Sequence, residues 1–117
     1  MNLQADLLVG VVGPCAAGKT TLIAGLKSMG ISARHIAQEH SYVPDMWLRL
    51  THPNFLVYLD VSYEVSRMRR KLDWSESDYL EQCRRLAHAR RFADLYIDTD
   101  PLSPAAVLAA VLDRIRS

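Results

Sequence analysis

Apolar residues in this chain fall into short runs that alternate with stretches of helical period. Leu7-Leu8-Val9-Gly10-Val11-Val12 is apolar on both faces, as a central parallel strand is. A glycine-rich turn follows. Leu22, Ile23 and Leu26 then predict a helix from about Gly18 to Ser28, with Gly30 just past its end as a C-cap. Ala33 to Gln38 reads as a shorter, more polar strand nearer an edge, and Pro44 to Leu50 as a turn or short helix. Phe55-Leu56-Val57-Tyr58-Leu59 is the third strand.

Ser62 suits an N-cap for a helix carrying Val65, Met68 and Leu72. Ser75 and Asp78 resemble a capping box, and that next helix has Tyr79, Cys83, Leu86 and Ala87 on one side. Ala93 to Ile97 is the fourth strand. Ser103-Pro104 starts a last helix with Val107, Leu108, Val111, Leu112 and Ile115. The expected fold is therefore α/β: a small, mostly parallel four-stranded sheet, order 2-1-3-4, in a three-layer α/β/α sandwich.

A chain of 117 residues makes one domain and buries a core without disulfides. Cys15 and Cys83 match no metal-ligand spacing, which points to a reduced, cytoplasmic protein. The run from Leu7 is too short to span a membrane. Asp6 precedes it and no basic flank with a cleavage site follows, so it does not read as a signal peptide.

Gly13-Pro14-Cys15-Ala16-Ala17-Gly18-Lys19-Thr20 fits the P-loop pattern G-x-x-x-x-G-K-[ST] at every position, between a strand and a helix. Backbone N–H groups at a helix N-terminus hold the phosphates of a nucleoside triphosphate, ATP or GTP. Gly13 and Gly18 allow the close approach and the turn. Lys19 reaches the β and γ oxygens, Thr20 offers a hydroxyl to Mg²⁺, and Thr21 assists at the α-phosphate. Mg²⁺ also requires a carboxylate. Asp60 ends an apolar strand and Glu39 follows the second strand, so both qualify. His40, His52 and Asp45 are further candidates to touch a substrate, each with an ordinary surface or helix-start role as its alternative.

Eight of the 14 Lys and Arg residues lie between Arg67 and Arg91: Arg67, Arg69, Arg70, Lys71, Arg84, Arg85, Arg90 and Arg91. With the bend Asp73-Trp74-Ser75 they suggest a lid around residues 67–78 over the phosphates. A solvated surface face is the plain alternative. Stacking of a nucleic-acid strand on Trp74 and Tyr79 is another, but a net charge of +1 and no recognisable binding module argue against it. Trp47 or Trp74, where exposed, is a candidate contact for a homodimer.

Gly13 to Thr21, the unit Phe55 to Arg67 and the ending Ala93 to Ser103 resemble the small-molecule P-loop kinases, the shikimate, gluconate, adenylylsulfate and nucleoside monophosphate kinases among them. The resemblance implies that Arg67 is a lid arginine with Arg69 or Arg70 as partner. It also implies that Thr99-Asp100-Pro101-Leu102 frames the base. Lys19, Arg67 and Glu39 then serve catalysis, and the acceptor lies near Glu39 to Trp47. Full-size relatives have a further strand and an acceptor region where this chain has only Ser41 to Asn54. That departure raises Glu39 relative to Asp60. The expected function is Mg²⁺-dependent transfer of the γ-phosphoryl group to a small acceptor. The alternative is a nucleotide-binding regulatory module. A GTPase is disfavoured by the lack of an N-K-x-D-type motif.

Overall fold

The structure is a computed structural model that describes residues 7–70 and 74–116, without the side chain of Arg70. Asp6, Lys71, Leu72 and Asp73 lie outside the described residues. The elements run β1 (Leu8–Val12), α1 (Lys19–Ser28), β2 (Ser32–His35), a 3-10 turn (Gln38–His40), α2 (Met46–Thr51), β3 (Phe55–Asp60), α3 (Tyr63–Arg70), α4 (Glu76–Phe92), β4 (Leu95–Asp98) and α5 (Pro104–Arg116).

The four strands form one all-parallel sheet in the order β2-β1-β3-β4. Alternation along the strands splits the core in two. Val9, Val11, Val57, Leu59 and Ile97 pack against Leu22 and Leu26 of α1 and Val107 and Val111 of α5. Val12, Leu56 and Tyr58 face the other way, onto Trp47 of α2 and Leu86 and Ala89 of α4. Helices thus cover both faces, which lets the two central strands be apolar up to Asp60 at the end of β3.

The expected caps form. The Gly30 N–H bonds the Lys27 carbonyl at 3.0 Å and the Ile31 N–H bonds that of Leu26 at 3.0 Å, closing α1 with Gly30 at φ 78°. Ser62 Oγ accepts from the Val65 N–H and Ser103 Oγ from that of Ala106. Ser75 and Asp78 make a full capping box.

Three expectations need correction. The second strand ends at His35, because Gln38 to His40 turn inward as a 3-10 helix. Gln38 is fully buried there; its amide donates to the Val43 and Arg85 carbonyls and accepts from the Trp47 N–H. The packed stripe of α4 is Gln82, Leu86 and Ala89, while Ala87 is exposed. Met68 is exposed, so among the described residues of the expected stripe α3 packs through Val65, and Leu72 lies outside them.

Candidate functional site

The β1–α1 loop begins where β1 passes beside the end of β3. A Cβ on Gly13 would lie 2.1 Å from the Leu59 carbonyl oxygen, so only glycine lets the loop leave the sheet there. The chain then turns through Ala16 at φ 72° and Gly18 at φ 94°. Ala16 holds a left-handed conformation that costs a non-glycine residue about 1 kcal/mol. Gly18 occupies the N-cap of α1, no side chain caps that end, and the first turn holds no acidic residue. The Lys19, Thr20 and Thr21 N–H groups have no acceptor within the helix, and the positive end of the helix dipole faces the same space.

Lys19 is buried, 7% exposed. Its Nζ donates to the Gly13 and Pro14 carbonyls at 2.5 and 3.0 Å and pairs with Glu39 Oε2 at 2.8 Å. Glu39 is 2% exposed, and its Oε1 has no hydrogen-bond partner. The 3-10 turn that shortened β2 is what carries Glu39 to the loop. His35 and His40 stand 3.8 and 3.9 Å from the same Oε2. Burial, and then the Lys19 ammonium, hold the His35 imidazole below its ordinary value.

Two clefts meet at the loop. One, of about 290 Å³, is lined by Cys15 to Thr21 with His35, Glu39 and His40. The other, of about 310 Å³, is lined by Ala16, Thr21, Arg69, Thr99, Leu102 and Val107 among others. Arg69 closes the second: its guanidinium donates to the Ala16 carbonyl and to the carbonyl and hydroxyl of Thr99.

Lys19, Thr20, Thr21, Glu39 and His40 are therefore brought together with the loop. Other sequence candidates lie elsewhere. Asp60 spends one carboxylate oxygen on the Val61 N–H and the other on the Tyr96 hydroxyl. Arg67 lies over the Tyr63 ring, 5.6 Å from its centroid. Asp100 accepts from the Ser62 N–H, and Pro101 is exposed beside it. Asp45 pairs with Arg49, and His52 ends α2. Arg84 and Arg85 pair with Glu81, while Arg90 lies over Tyr96. Trp74 is half-buried against Tyr63 and Tyr79, and its carbonyl accepts from the Tyr63 hydroxyl. Trp47 is buried and donates to His88, so it is no exposed contact.

Sequence reasoning missed Gln82. Its Oε1 accepts from the Cys15 N–H at 2.9 Å and its Nε2 donates to Cys15 Sγ at 3.1 Å, which ties the loop to α4. The available signal was a polar residue four before Leu86 on the buried face of a helix.

No family model matches the chain, and no curated protein matches it. The fold is α/β with an all-parallel sheet, and no helix among the described residues is long and apolar enough to cross a membrane.

Proposed function

We propose that this chain binds a magnesium nucleoside triphosphate at the β1–α1 loop and transfers its γ-phosphoryl group to a small acceptor. The observation that carries this reading is the buried Lys19, held between Glu39 and two loop carbonyls at the mouth of an uncapped helix N-terminus. A buried ammonium beside helix N-terminal amides that have no acceptor within the helix suits a polyanion, and the carbonyls pre-position it. The residues fit Mg²⁺ as well: an unpartnered, buried carboxylate oxygen of Glu39 shares the cleft with the Thr20 hydroxyl. Those two groups would hold the ion, which screens phosphate charge when bound. Asp60, with both oxygens engaged, is the weaker candidate.

The second cleft suits the base. Leu102, Pro104 and Val107 give it apolar walls, and Arg69 offers a cationic plane. Arg69, already hydrogen-bonded to the loop, takes the place that the resemblance gave to Arg67. A regulatory module that binds nucleotide without an acceptor remains the second reading. It is favoured by the way Gln38 and Trp47 knit the short 38–47 segment onto α4.

Calorimetric titration of ATP and GTP with Mg²⁺ tests the site. Lys19→Ala should weaken triphosphate binding about 10- to 100-fold, because a hydrogen bond to a charged group is worth about 1.5–3 kcal/mol. Equal affinities for wild type and variant, with the fold intact by circular dichroism, would refute it. Faster loss of the γ-phosphoryl group with a pool of small acceptors separates the kinase from the regulatory module.

A further inference from the structure

We propose that Cys15, Glu39 and His40 form a binding site for a divalent transition metal of the Zn²⁺ class. One ligand atom from each, a sulfur, a carboxylate oxygen and an imidazole nitrogen, lies within 4.8 Å of the others. Mg²⁺ and Ca²⁺ take oxygen donors, whereas a mixed S, N, O set selects zinc and its neighbours.

Each ligand is supplied by a different local device. Cys15 is held on both sides by Gln82, which accepts from its N–H and donates to its sulfur. Glu39 gives Oε2 to Lys19, yet Oε1 has no partner although the residue is 2% exposed. A buried carboxylate oxygen without a partner is costly, and a cation there relieves the cost without breaking the Lys19 pair. His40 is the exposed member of the three. Tetrahedral zinc, with bonds of about 2.0–2.3 Å, sets its ligands about 3.3–3.8 Å apart. The cluster therefore closes by at most about 1.5 Å on binding, and exposed His40 is the ligand with most room to move.

All three residues line one open cleft, so the ion has an entry path and a fourth position for water. On binding, the Cys15 S–H bond breaks, the S–Zn bond forms and the proton leaves to solvent, while His40 binds as neutral imidazole. The nearby Lys19 ammonium opposes a dication, so this is an exchangeable site and not a structural one. Cys15 belongs to the loop and Glu39 is the proposed Mg²⁺ carboxylate. Zinc and a magnesium triphosphate then exclude one another, a consequence that rests on the proposed nucleotide site.

The test uses the tag-free full chain, titrated with Zn²⁺ by calorimetry and with Co²⁺ by absorption spectroscopy. Wild type should show a thiolate-to-cobalt band and tetrahedral cobalt transitions. Cys15→Ser and His40→Ala should each lower Zn²⁺ affinity by at least about tenfold, since even outer-shell partners cost 10- to 100-fold. Cys83→Ser should change neither reading. Absence of the thiolate band, its loss in Cys83→Ser, or unchanged affinity in Cys15→Ser would overturn the site. ATP binding equally well to zinc-free and zinc-loaded chain would overturn the exclusion. The thiolate band without any ATP binding would uphold the zinc site and refute the nucleotide reading alone.

Discussion

Replacing Lys19 by Met would leave the Glu39 carboxylate buried without its ammonium partner, and that asymmetry makes the ion pair measurable. At 2.8 Å and an effective dielectric constant near 20, the gross attraction is about 6 kcal/mol. Desolvating both groups, 7% and 2% exposed, offsets most of it. The pair as a whole therefore adds little to stability, but half of it is expensive. Lys19→Met should cost about 3–5 kcal/mol, because Oε1 already lacks a partner and Oε2 keeps only the more distant His35 and His40 rings at 3.8 and 3.9 Å. Glu39→Gln should cost less, about 1–3 kcal/mol, since Lys19 keeps the Gly13 and Pro14 carbonyls. The double variant should fall well short of the sum, with a coupling of about 2–3 kcal/mol. Urea unfolding of all four proteins at constant m-value gives the cycle. A buried pair is only weakly screened, so the coupling should persist in high salt. Single costs that add to within about 0.5 kcal/mol would refute the pair and the siting of Glu39 with it.

Three further outcomes are expected. Gly13→Ala should destabilise the fold by about 3 kcal/mol, as an overpacked site does, because its Cβ would meet the Leu59 carbonyl oxygen; a thermal midpoint equal to wild type would contradict this. Arg69→Ala should weaken ATP binding several-fold yet leave inorganic triphosphate binding unchanged, which calorimetry with both ligands decides; equal losses would place Arg69 at the phosphates and not at the base cleft. Alkaline titration of tyrosine absorbance should show Tyr58, Tyr79 and Tyr96 ionising late. Burial comes first as the cause for each, and the Tyr96 hydroxyl, pushed up from 10.0 to about 12, also donates to the Asp60 carboxylate. A folded-state value raised in this way contributes stability that is complete below pH 10 and is lost as pH rises from 10 to about 12. Phenylalanine at position 96 should flatten that part of the alkaline loss, and an unchanged profile would sink the assignment.

The fold was legible in the sequence because its determinants are local. Strand burial on two faces, the Ser75–Asp78 box, Gly30 and Ser103-Pro104 each act within a few residues, and the strand order follows once apolar Val9–Val12 and Leu56–Leu59 are taken as central. The geometry of the candidate site was legible only in part, because its later members depend on long-range contacts. Glu39 reaches Lys19 only after Gln38 has exchanged strand pairing for bonds to Val43, Trp47 and Arg85, 47 residues on from Gln38. The resemblance names Arg67 for the lid, but which arginine meets the loop depends on where Thr99 lies after β4, and among the described side chains Arg69 bonds both Ala16 and Thr99. The same dependence explains Gln82: a glutamine among Tyr79, Cys83 and Leu86 is a blemish on a helical stripe until α4 is docked, and then it holds both ends of Cys15. Polar residues that break an otherwise apolar face, as Gln38 and Gln82 do, are thus where a sequence of this kind marks its site. Each is buried, and in each case the hydrogen bonds that offset that burial are the ones that set Glu39 and Cys15 in place.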